Sequence, residues 1–82
     1  MNARMMDTLK KTAADVVNYR HADKSNTRNC FWVGGDGYGL RTPAQVQELT
    51  TRMDAVYSEM VTDEQRWAVE DALNGLITSL YK

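Results

Sequence analysis

Apolar residues along this chain fall into three stretches of helical period and one of strand period. Met5, Met6, Leu9, Ala13, Val16 and Val17 share one side of a helical wheel, with Asp7, Lys11 and Asn18 opposite, which predicts an amphipathic helix over residues 2–22. Residues 23–29 are polar and aperiodic and are expected to form a loop. Cys30-Phe31-Trp32-Val33 and Tyr38-Gly39-Leu40 then flank Gly34-Gly35-Asp36-Gly37, and β-formers on both sides of a glycine turn predict a hairpin over residues 30–40. Val46, Leu49, Met53, Val56 and Met60 follow at spacings of 3, 4, 3 and 4, a helix over 43–60. Val69, Leu73, Leu76, Ile77 and Leu80 make the stripe of a last helix over 63–81.

Start signals sharpen the last two helices. Thr42-Pro43-Ala44-Gln45 places a capping threonine before proline and a glutamine that can close a capping box. Thr62-Asp63-Glu64-Gln65 repeats the pattern, with two carboxylates at the positive end of the helix dipole. The short link between them predicts an antiparallel helical hairpin. Asn74-Gly75 is a competing stop signal that would make 76–81 a strand beside the hairpin; the continuous helix is preferred. The expected fold is therefore mainly α: one small domain over 1–82, three helices, and a glycine-turn β-hairpin between the first and second.

Composition narrows the class. With 82 residues, 43% apolar and 26% charged, the chain has the make-up of one small globular domain. The longest apolar run, Cys30 to Val33, is far too short to span a membrane. Cys30 is the sole cysteine, so no internal disulfide forms, and no apolar signal-peptide core opens the chain; a cytoplasmic location is expected. The net charge of -1 gives no general attraction to phosphate backbones. Its distribution is uneven: residues 1–41 carry 7 basic and 4 acidic side chains, residues 42–82 carry 3 and 7.

Catalytic chemistry is poorly supported. The glycine turn has no following Gly-Lys-Ser/Thr, and Leu40 occupies the place of the third glycine in a dinucleotide fingerprint. A weak anion site at the start of the second helix, beside Arg41, is the residual phosphate reading. His21 and Cys30 are single residues of their types, the sequence identifies no catalytic constellation around them, and they are too few for a structural zinc site. No enzyme activity, cofactor or metal is expected.

The aromatic residues are more informative. Trp67 lies roughly 160° round its helix from the centre of the Val69/Leu73/Leu76/Leu80 stripe, with Asp63, Glu64, Glu70 and Asp71 as its neighbours. Tryptophan is enriched at binding hot spots, and an acidic surround suits a basic partner surface. In the hairpin, Phe31 and Val33 face one way and Cys30 and Trp32 the other, and only one face can lie on the helices. Burial of Trp32 as the hairpin's anchor is favoured; the alternative exposes Trp32 with Tyr38 beside it as a second partner-binding candidate.

The expected function is binding of another protein, with a basic surface, as a small regulator or inhibitor. By analogy of size and composition, a phage or mobile-element accessory protein is one such setting. Trp67, Asp63, Glu64, Glu70, Asp71, Trp32 and Tyr38 are the expected contact residues. A helical DNA-binding regulator is the alternative, with Arg20, Lys24, Arg28 and Arg41 gathered on one side. It places an acidic recognition helix against phosphates, so specific nucleic-acid binding is not expected. A homo-oligomeric module, two helical hairpins forming a four-helix bundle, is the third reading, and a homodimer fits it.

Overall fold

The computed structural model describes residues 2–23 and 28–81; Lys24 and the middle of the predicted loop lie outside the described residues. The order is α1 (Ala3–Tyr19), β1 (Cys30–Val33), β2 (Asp36–Gly39), α2 (Pro43–Tyr57) and α3 (Asp63–Tyr81). The mainly helical architecture with an antiparallel hairpin between α1 and α2 is the one the pattern predicts.

Helix α1 opens at Asn2, whose Oδ1 accepts from the Met5 amide at 2.8 Å. It stops short of the expected residue 22 because the hairpin competes for its backbone. Arg20 turns extended and bridges Leu40, the His21 amide donates to the Gly39 carbonyl at 3.0 Å, and the Arg41 amide donates to the Tyr19 carbonyl at 3.0 Å. The chain leaving α1 thus lies along β2 instead of finishing another helical turn.

Both predicted helix starts form. Thr42 and Gln45 exchange side-chain-to-backbone bonds at 3.1 and 3.2 Å, and Thr62 and Gln65 do the same at 3.2 Å each. Helix α2 ends at Tyr57 rather than residue 60. Its exit tightens through bonds from Glu59 to the Val56 carbonyl and from Met60 to the Tyr57 carbonyl, which turn the chain toward the Thr62 cap. Helix α3 runs unbroken through Gly75, which is exposed and has open space around it, so residues 76–81 are helical and not a strand. Burial of Leu73 before Gly75 and Ile77 after it outweighs the local stop signal.

One core joins four of the elements and the link after β2, with the half-buried Tyr38 of β2 packed against it. Leu9, Ala13 and Val16 come from α1, Phe31 and Val33 from β1, Leu49, Met53 and Val56 from α2, and Val69, Leu73 and Ile77 from α3, with Leu40 between β2 and α2. The α3 stripe is narrower than expected: Leu76 is half-buried and Leu80 is 51% exposed. The most extensive helix–helix packing is between α1 and α3, while β1 lies against both α2 and α3. Arg52 of α2 clamps α1 with bonds to Asp15 at 2.8 Å and to the buried Thr12 hydroxyl at 3.3 Å. Glu48 joins this network by accepting from Arg52 and from the Tyr19 hydroxyl.

Candidate functional site

The hairpin and α3 together place every aromatic residue singled out above. Val33 pairs with Asp36, which leaves Gly34-Gly35 as a two-residue loop. Gly34 has φ +62 and Gly35 does not take positive φ, the pattern of a type II′ turn. Glycine is required at Gly34 on this ground, and a Cβ there would also come within 3.4 Å of the Glu70 carboxylate. Glu70 is half-buried beneath this turn.

The hairpin then runs along α3 toward its C-terminus. Asn74 fastens it at two points. Its Nδ2 donates to the Val33 carbonyl at 3.2 Å, and its Oδ1 accepts from the Tyr38 hydroxyl at 2.5 Å. Tyr38 also meets the Tyr81 ring at 6.4 Å between centroids. Burial is the main cause that raises the Tyr38 pKa, with the Asp36 charge second. Tyr38 is therefore half-buried and engaged with α3 rather than standing beside Trp32.

Trp67, Glu70 and Asn74 fall on one line of α3 at spacings of 3 and 4. The hairpin covers this line from Glu70 onward, and Trp67 lies one turn beyond the hairpin's tip. Its side chain is 57% exposed. Asp63, Glu64 and Asp71 are exposed on the same outer surface, with Glu70 at its border. On the far flank, the Arg66 guanidinium lies 4.7 Å over the Tyr57 ring, tying the end of α2 to the start of α3.

Trp32 does not anchor the hairpin. Phe31 does, at 1% exposure with Val33 beside it, while Trp32 is 62% exposed on the outer face. The reason lies across the strand. Trp32 pairs with Gly37, and a Cβ at Gly37 would stand 2.9 Å from the indole and 2.8 Å from the Cys30 sulfur. Glycine at this position lets the indole lie over β2 while Phe31, the larger apolar side chain available on the other face, fills the core.

Arg41 is turned toward the exit of α1, where its Nε donates to the Arg20 carbonyl at 3.3 Å. The Gln45 amide at the start of α2 is taken by Thr42. Arg20 in turn lies 5.4 Å from the centre of the Tyr81 ring. Among the described residues no group of three or more His, Cys, Asp or Glu side chains is placed to hold a metal, and no helix is long and apolar enough to cross a membrane.

Asn74, the Glu70–Gly34 contact and the Arg20–Tyr81 stack were not legible in the sequence. Asn74 sits two turns after Trp67, a spacing that marks a shared face but not its occupant. No family model, no curated protein and no solved structure matches the chain.

Proposed function

We propose that this protein is a non-enzymatic binding module, a small cytoplasmic regulator or inhibitor that docks on the basic surface of a larger protein. The observation that carries this reading is Trp67, more than half exposed among Asp63, Glu64, Glu70 and Asp71 on a well-capped helix. Folding gives the ring little reason to be there, because the core stripe of α3 turns the other way. A tryptophan that becomes buried at an interface is a strong anchor, and carboxylates at the rim steer a basic partner and set association rate. The same charge on the outer face of α3 argues against its use as a recognition helix in duplex DNA. A phage or mobile-element accessory protein is a setting that suits so compact a binder.

The test is affinity capture from the native host with the wild-type protein and with Trp67→Ala as parallel baits, followed by affinity measurement on the captured protein. Trp67→Ala is expected to weaken binding at least about tenfold while leaving the denaturation midpoint unchanged. Neutralising Glu64 and Asp71 together should slow association more than it speeds dissociation. Glu70 is left intact because it lies close to the hairpin turn at Gly34. Unfolding on Trp67→Ala would make the ring a structural element and sink the reading.

A further inference from the structure

The surroundings of Trp67 are specific enough to define the group it receives. We propose that this face takes an arginine side chain of the partner, with the guanidinium stacked on the Trp67 indole and bonded to the carboxylate of Asp71. The inference rests on the Trp67 face being the docking surface and names what docks there.

The charge around the ring is one-sided. Asp63 and Glu64 precede Trp67 by four and three residues, and Glu70 and Asp71 follow it by three and four, so all four carboxylates are its neighbours on the helix surface. None of them forms an ion pair among the described residues, where both salt bridges belong to Arg52. Arg66, next to Trp67 in sequence, is engaged over the Tyr57 ring. The hairpin, whose turn reaches Glu70, brings no Lys or Arg in residues 30–40 and adds the negative charge of Asp36. An indole more than half exposed, with an electron-rich face and only negative neighbours left unpaired, attracts a cation from outside the chain.

The geometry of the groups selects arginine over lysine. This fold already lays two guanidinia over tyrosine rings, Arg66 over Tyr57 at 4.7 Å and Arg20 over Tyr81 at 5.4 Å. Tryptophan holds a cation better than tyrosine does. A guanidinium is planar and weakly hydrated, so it can lie against the indole and still direct its edge N–H groups at a carboxylate; a compact, strongly hydrated ammonium does not do both. Asp71 is the carboxylate placed for that bond. Side chains on a helix lean toward its N-terminus, so Asp71, one turn further on, leans back toward Trp67. Asp71 is exposed, whereas Glu70 is half-buried at the hairpin turn. Asp63 and Glu64 lie in the first turn of α3, where the positive end of the helix dipole offsets part of their charge.

The probe is a short blocked peptide in which Arg alternates with Gly, titrated into isotope-labelled protein and followed by NMR at the indole N–H signals, with Trp67→Leu to assign them. Control peptides carry Lys, or the neutral arginine analogue citrulline, in place of Arg. The Arg peptide is expected to move the Trp67 signal with at least about fivefold higher affinity than the Lys peptide, and the citrulline peptide to leave it in place. Trp32, 62% exposed but with glycine across its strand, is the internal control and should not move. Asp71→Asn should weaken the Arg response about fivefold with the helical signal unchanged, and Asp63→Asn should weaken it less. Equal affinity for the Lys and Arg peptides, equal movement of Trp32, or a Trp67 signal that the Arg peptide never moves overturns the proposal. A Trp67 signal that moves with protein concentration alone, with dimers in sedimentation, places a second copy over the ring and overturns it as well. The docking reading fails separately, if Trp67→Ala leaves capture of the partner undiminished.

Discussion

Asn74→Ala is the sharpest probe of how the hairpin is held. A lone two-stranded hairpin is at best marginally stable in water, so its attachment to α3 decides whether it persists. Phe31 and Val33 supply the apolar part of that attachment, and Asn74 supplies the polar part through Val33 and Tyr38. Removing the amide deletes both bonds, each worth about 0.5–1.5 kcal/mol net, for a total of about 1–3 kcal/mol. A domain of this size has roughly 4–12 kcal/mol in all, so the loss is a large fraction. The melting temperature should fall by about 4–8 °C for each kcal/mol. Tyr38→Phe removes one of the two bonds and should cost about 1 kcal/mol. Urea denaturation of the two single variants and the double variant closes a cycle, and the shared bond should appear as a coupling of about 1 kcal/mol. Amide exchange of Phe31 and Tyr38 should quicken in Asn74→Ala before that of the α1 and α3 cores. Simple additivity of the two substitutions, or a midpoint unmoved by Asn74→Ala, would refute the double clamp.

Two further outcomes test the core and the tyrosines. Leu73→Ala empties the centre of α3's buried stripe and should cost about 2–5 kcal/mol in a denaturation curve, enough to unfold much of the population. Tyr38, Tyr57 and Tyr81 have their pKa values raised above 10.0 chiefly by burial, and Tyr19 chiefly by its bond to Glu48. The folded state then holds these protons after the unfolded chain has released them, so stability from this source is full below about pH 10 and is lost as pH rises through the folded values. Urea midpoints should decline above about pH 10, and Tyr38→Phe should make that decline shallower. A steeper decline in the variant would contradict the assignment.

Helices were the most legible part of this fold because their signals are local. The Thr42 and Thr62 capping boxes and the Val69, Leu73 and Ile77 spacing specify starts and faces within a few residues, and all appear in the structure. The ends of α1 and α2 were less legible because they are set by partners distant in sequence or by the following link. Arg20 has no local reason to leave the helix; it leaves because Leu40 offers a strand edge. Gly75 shows the converse, a strong local stop overridden by the buried residues on either side.

The hairpin face was underdetermined for a physical reason. Four consecutive residues, Cys30 to Val33, are all apolar or aromatic, so period-two alternation offers two plausible inner faces. What breaks the tie is the opposite strand. Gly37 and Gly39 stand across from Trp32 and Cys30, while Tyr38 stands across from Phe31. A face with glycines opposite is too thin to cover a core and leaves an indole nowhere to go but over bare backbone. A face with Phe31, Val33 and Tyr38 has the volume to fill the space over α2 and α3, and Tyr38 can carry its hydroxyl to Asn74. Register together with glycine placement therefore determines Trp32's exposure. Trp67 needed no such long-range information, since the helical wheel alone separates it from Val69, Leu73 and Ile77. The two exposed tryptophans thus differ in origin: one is excluded from the core by its position on a helix, the other by the glycines across its strand. Neither contributes to the buried core, so neither ring is needed to fill it.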